Sequence, residues 1–156
     1  LTPPRQPDLI QRHLMSLHHN VYASPDYLKD HGMPQTPEEL DNHKIVTFGD
    51  QVGDQTELLP SLNFLINAGR GTQGPRQPVL KVNNVYGIYR AVLSGVGIGA
   101  LPNYFLEGSS SLVRILPELH SPETEIYFVY PEELKQSARI AVFRDFLVRK
   151  ILESRK

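Results

Sequence analysis

Apolar and polar positions along this chain follow two periods. Residues 20–24 read as a short strand with Val21 and Tyr22 as its β-formers. Ser24-Pro25-Asp26 then reads as a helix start, with Ser24 at the cap and Pro25 in the first turn, where its missing N–H costs nothing. Tyr27 and Leu28 supply the buried contacts of this helix, and Gly32 ends it. Thr36-Pro37-Glu38-Glu39 repeats the start signal, with Glu39 three residues after Thr36 as in a capping box, ahead of a short helix that stops near Asp41-Asn42. Residues 44–48, 63–67 and 79–82 are expected as strands. The clearest helix follows, capped by Asn83 or Asn84. Its apolar stripe is Val85, Ile88, Tyr89, Val92 and Leu93, and Gly95 closes it. Residues 98–101 predict a buried strand, with Pro102 opening another helix through Leu106. Residues 112–116 and 125–130 predict two more strands. In the second, neither face is polar, so burial on both sides is expected. The last helix begins near Ser137. Ile140, Phe143, Leu147 and Ile151 line its inner face, with Phe146 beside them, and basic residues crowd its C-terminal end.

Residues 1–7 are Pro-rich and expected to be extended, and 49–56 and 69–77 read as surface loops. Strands and helices alternate, so the class is α/β. The final helix needs a sheet to pack on, and most strands of that sheet are missing from the pattern. One lobe is therefore expected to be complete and another incomplete.

The length of 156 residues suits one domain or two small lobes. With 40% hydrophobic and 21% charged residues, the composition is that of a globular protein, and no run approaches the ~20 apolar residues of a membrane span. No segment has the order of a signal peptide, and Leu1 reads as an internal position. The absence of cysteine excludes disulfides, Cys-based zinc sites and thiol catalysis, and fits a reducing compartment. A formal net charge of −1 does not advertise a DNA-binding face, so any such surface is expected outside this chain.

Candidate chemistry is sparse. Gly95-Val96-Gly97-Ile98-Gly99 superficially matches a dinucleotide loop, but here a helix precedes the glycines and a strand follows, the reverse of the binding arrangement. A tight helix-to-strand turn is the better reading, and no cofactor is expected. His13, His18 and His19 lie close in sequence. His18 and His19 would point to opposite faces of a strand, with no Asp or Glu at ligand spacing, so surface or hinge histidines are expected rather than a metal site. His43 reads as a locally hydrogen-bonded polar residue at a strand start. No Gly-x-Ser-x-Gly turn is present, Ser109-Ser110-Ser111 reads as loop, and no periodicity pairs two carboxylates. No catalytic residue is assigned.

Three segments carry a resemblance. The first is Val21-Tyr22-Ala23-Ser24-Pro25-Asp26-Tyr27-Leu28, with His31-Gly32-Met33-Pro34, Thr36-Pro37-Glu38-Glu39-Leu40 and His43. The second leads from Val82-Asn83-Asn84 through Ala91 to Ser94-Gly95-Val96-Gly97-Ile98-Gly99-Ala100-Leu101-Pro102. The third is Leu112-Val113-Arg114-Ile115-Leu116-Pro117, then Ile126-Tyr127-Phe128-Val129-Tyr130-Pro131 and Phe143-Arg144-Asp145-Phe146-Leu147. In order and spacing they resemble the effector-binding domain of LysR-type transcriptional regulators, and Asp8-Leu9-Ile10-Gln11-Arg12 resembles the family's strand before its first hinge. The resemblance implies an α/β fold like the type II periplasmic binding proteins: two lobes joined by two crossover strands, with lobe I incomplete in this chain. It assigns 1–21 to the end of lobe I and the first crossover, 22–127 to lobe II, and 128–156 to the second crossover and the C-terminal part of lobe I. It also implies a cytoplasmic sensor that is not an enzyme and that holds a small organic effector, expected to be anionic, between the lobes. DNA is reached only through an N-terminal domain absent here, no membrane is involved, and the parent is a homodimer or homotetramer.

Within that frame Asn84 is both a cap and a candidate ligand contact, because a helix N-terminus suits an anion. The expected helix start at Pro102 offers a similar end, Tyr104 lies near its rim, and Thr47 and Phe48 end a strand at the same edge of lobe II, where ligands of open α/β sheets gather. Arg12 is a candidate cation for an effector carboxylate. Two alternatives remain: a transporter's solute-binding protein, and an α/β enzyme whose catalytic residues precede Leu1.

Overall fold

The computed structural model describes residues 8–49, 62–104 and 111–154, the side chain of residue 154 excepted. The chain divides into two units, one of residues 18–123 and one of residues 1–17 with 124–156.

The larger unit is built on a five-stranded sheet in the order β4-β3-β5-β2-β6. Its strands are β2 (His19–Ala23), β3 (Ile45–Phe48), β4 (Leu80–Val82), β5 (Ile98–Pro102) and β6 (Val113–His120). β3 lies parallel to both β4 and β5, while β2 runs antiparallel to β5 and β6. Side chains alternate across a strand, and here they sort into two cores. Val21, Ala23, Ile45, Ile98 and Ala100 pack on one face with Tyr27 of α1 (Pro25–His31), Leu40, Leu65 and Ile115. Tyr22, Val46, Phe48 and Leu101 pack on the other with Ile88, Ala91 and Val92 of α2 (Val85–Leu93). Burial on both faces is why β3 and β5 read as continuous apolar runs.

Two of the predicted caps form. The Ser24 hydroxyl accepts from the Tyr27 N–H at 3.1 Å, and the Asn84 side-chain Oδ1 accepts from the Gly87 N–H at 2.6 Å. The turn from α2 into β5 needs Gly95 at φ 74°, a left-handed conformation that a side chain disfavours. The glycine run is therefore a helix-to-strand turn.

Four sequence expectations are corrected. The predicted strand at 63–67 is a turn of 3-10 helix, Phe64–Ile66. Its carbonyls are claimed by Arg76: one guanidinium nitrogen donates to Leu65 O at 2.9 Å and the backbone N–H to Ile66 O at 2.8 Å. The 69–77 loop thus hides a residue only 7% exposed. The capping box at Thr36 does not close, because Glu39 accepts instead from the Gln35 N–H at 2.8 Å, ahead of a 3-10 turn Glu38–Asn42. Pro102 ends β5 rather than opening a helix, since it is paired opposite His19, and Asn103 and Tyr104 turn away; residues 105–106 lie outside the described residues. The strand at 112–116 runs on to His120 with an excursion. Val21 pairs with Ile115, the next pair is Asn20 with His120, and Leu116 takes φ 46°.

In the smaller unit β1 (Leu9–Leu17) and β7 (Thr124–Pro131) form an antiparallel two-stranded sheet with a bulge between His13 and Met15. α3 (Ala138–Ser154) contacts β1, and Phe143 meets Phe128 edge-on at 5.8 Å between ring centres. β7 is not buried on both sides as predicted. Only Tyr130 is fully buried, because no further strand pairs with this sheet among the described residues. Ile140, Leu147 and Ile151 are half-buried as the stripe predicts, but Phe143 is 52% exposed. Residues 1–7, 50–56 and 109–110 and the basic residues 155–156, for which the sequence sets expectations, lie outside the described residues.

Candidate functional site

The three parallel strands of the larger unit end together. Gly49 donates its N–H to Val82 O at 3.2 Å, so the chain just past β3 is tied to the end of β4. Only Asn83 and Asn84 separate β4 from the helix α2, which brings its N-terminus to the same edge. Asn63 closes the end of β3 from the side: its amide oxygen accepts from Phe48 N–H at 2.9 Å and its amide N–H donates to Phe48 O at 3.3 Å.

Of the predicted residues, Thr47, Phe48, Asn84, Pro102 and Tyr104 all belong to this unit and lie on or next to the carboxyl edge of β3, β4 and β5. Strand alternation divides them between faces. Phe48 packs with the α2 core, while Thr47 and Pro102 stand on the opposite side with Ile45 and Ala100. Thr47 and Phe48 are buried at 4% and 6% exposure, so only their ends and backbone border the edge. Asn84 is exposed but its side-chain oxygen is spent on the cap, so a ligand would meet the remaining N–H groups of the first turn. Arg12 belongs to the smaller unit, exposed on β1 opposite Phe128.

The sequence reading missed several residues here. Gly49 leaves no room for a Cβ, because the Asn83 carboxamide occupies that space. Asn83 therefore packs on the strand end while its neighbour caps. Asn20 is buried beside the edge, and Asn103 follows Pro102, donating its N–H to His18 O at 2.9 Å. A single-residue scan gives no sign of these roles, because they depend on which strand lies alongside.

His13, His19 and His43 are held by local contacts, and His19 is buried in the sheet rather than at the surface or hinge as expected. His19 is 3% exposed; its backbone N–H donates to the Ser121 hydroxyl at 2.9 Å and its Nδ1 lies 3.3 Å from the same oxygen. Burial, with His18 adding a smaller effect, pushes its pKa down to about 4. His13 Nε2 stands 3.2 Å from Glu125 Oε2. His43 Nδ1 meets the Tyr27 hydroxyl at 3.2 Å, the local bond expected for it, and burial holds its pKa below the usual imidazole range. Among the described residues no cluster of three or more His, Cys, Asp or Glu side chains is placed to hold a metal. None of the described helices is long and apolar enough to cross a membrane.

Comparison with known proteins places this arrangement. The family model of the LysR substrate binding domain matches residues 1–151. The regulator CrgA of Neisseria meningitidis (serogroup C) is 30% identical over 144 residues, covering 90% of this chain and 46% of that protein. The uncharacterized regulator YhjC of Escherichia coli is 29% identical over 129 residues, covering 80% and 42%. The chain thus spans less than half the length of these relatives. Among solved structures, the CrgA regulatory domain superposes with a TM-score of 0.77 at 28% identity, covering 95% of this chain and 71% of that one. The AphB regulatory domain of Vibrio vulnificus superposes at 0.67 and 24% identity, covering 95% and 71%, a likeness of fold. These neighbours have the type II periplasmic-binding-protein-like fold. The relatives are transcriptional regulators and do not favour the transport reading.

Proposed function

We infer that this chain, which belongs to the LysR substrate-binding domain family, is the sensing part of a transcriptional regulator and holds a small organic effector. The observation that carries this reading is the family match over residues 1–151. The carboxyl edge of β3, β4 and β5 is the best-supported place in the larger unit. Thr47, Phe48, Pro102, Tyr104 and the α2 cap residue Asn84 are the proposed contacts, all at or next to the ends of these strands and the start of α2. Arg12, in the smaller unit, is a separate candidate for an effector carboxylate. Effector binding must favour one conformation of the parent over another, otherwise it shifts nothing. The signal then passes to a DNA-binding domain outside this chain, in a cytoplasmic homodimer or homotetramer. The role is recognition rather than catalysis; calorimetry with candidate carboxylates is expected to show binding heat without turnover.

Asn84→Ala and Arg12→Ala in the intact regulator are expected to weaken effector-dependent transcription about tenfold, the scale of one charge-assisted hydrogen bond, while DNA binding persists. Unchanged induction in both variants removes these residues from the site.

A further inference from the structure

On the α2 face of the sheet the apolar core gives way, at the carboxyl edge, to a cluster of amides and imidazoles. Register explains the grouping. Asn20 is paired opposite both Leu101 on β5 and His120 on β6, so the three side chains share a face. His18 lies just before the start of β2 and Asn103 just past the end of β5, tied together by the Asn103 N–H, which donates to His18 O at 2.9 Å. The His18 and His120 rings lie 5.3 Å apart.

Two oxygens in the cluster are unusual. Asn20 is 5% exposed, and its Oδ1 is buried without a hydrogen-bond partner; Asn103 Oδ1 is in the same condition. A buried acceptor left unpaired costs free energy, and native structures carry few of them without a purpose. His120 lies at the rim of the cluster, with its Nδ1 3.2 Å from Ser121 O.

We propose that the unpaired amide oxygens of Asn20 and Asn103 select an effector that donates hydrogen bonds, a molecule bearing a hydroxyl, amine or amide N–H group, whatever charge the rest of it carries. This rests on the proposed effector role of the same edge and names the ligand chemistry. Acceptors shielded from water discriminate sharply. An analogue of equal shape without the donor leaves them unpaired, whereas a hydrophobic wall would hold both alike.

The test uses the 156-residue chain and matched probes at millimolar concentration: malate against succinate, 4-aminobutyrate against pentanoate, and catechol against 1,2-dimethoxybenzene. NMR follows the backbone signals of Thr47, Phe48 and Asn84 and the side-chain amides of Asn20 and Asn103. The donor member of at least one pair is expected to bind about tenfold tighter and to shift both side-chain amides. Asn103→Ala, at a half-exposed position, should abolish that preference. The near-isosteric Asn20→Asp should keep it and tighten the amine. Equal binding of both members, or a preference untouched by Asn103→Ala, overturns the proposal. Probes that shift Thr47, Phe48 and Asn84 but neither side-chain amide overturn it too, and leave the edge as an effector site. If no probe shifts any of the five, the effector reading of this edge falls with it.

Discussion

At the scale of single residues, the stability of the larger unit leans on polar groups that sequence patterning treats as surface. His19 is the clearest. Its buried ring is held neutral, so the unfolded chain takes up a proton near the ordinary imidazole pKa of 6.5 while the folded chain resists until about pH 4. Between those values the unfolded state binds more protons, and stability falls as pH falls. A shift of this size corresponds to roughly 3 kcal/mol. Urea unfolding at pH 7 and pH 4.5 is expected to show that loss in the native chain, and a smaller one in His19→Gln. Arg76 is the second. It donates to Leu65 O and Pro37 O at 2.9 Å, and its Nε stands 2.6 Å from Asp41 Oδ1, in ion-pair contact though outside hydrogen-bond alignment. Asp41, held ionised by Arg70 first and by Arg76, is itself 39% exposed. Arg76→Met orphans the carbonyls rather than a deeply buried charge, so a loss of about 2–4 kcal/mol in urea unfolding is expected.

At the scale of elements, local signals held where the chain satisfies itself. α1 and α2 begin at side-chain caps that need no distant partner. Ser24→Ala and Asn84→Ala are each expected to cost about 1 kcal/mol by thermal or urea unfolding, and the matching glycine variants less. The elements that differed depend on partners far along the chain. Phe64-Leu65-Ile66 is apolar enough for a strand, but Arg76 takes the Leu65 and Ile66 carbonyls, and the Asn63 carboxamide occupies the Phe48 backbone groups such a strand would have paired with. The capping box failed because Glu39 found the Gln35 N–H first.

At the scale of the whole molecule, the two units differ in how well they cover their apolar residues. The larger has a core on each face of its sheet, with Tyr27, Leu40, Ile45, Leu65, Ile88 and Ile98 at 2% exposure or less. The smaller leaves Val142, Phe143, Phe146 and Leu152 of α3 between 43% and 70% exposed. Contiguous apolar surface of this kind drives association in water. The chain by itself is expected to self-associate with rising concentration in sedimentation experiments, and Val142→Asp with Leu152→Asp should reduce it. A monomer at all concentrations would show that this face is harmless.

The sequence by itself determined the α/β class, the two cap-started helices, most strands of the larger unit and the family. These are local or periodic properties, and hydrophobic alternation and capping chemistry are read from neighbours in the chain. It also pointed to the strand ends that gather Thr47, Phe48 and Asn84. Tertiary structure alone decided that Pro102 closes a strand against His19, that Arg76 is buried, and that Asn20 and His120 share one face. The reason is physical: strand register, and with it the neighbours of Asn20 and Pro102, is set by segments about 80 to 100 residues apart, and the partners of Arg76 by carbonyls up to 39 residues away, and no local pattern encodes either.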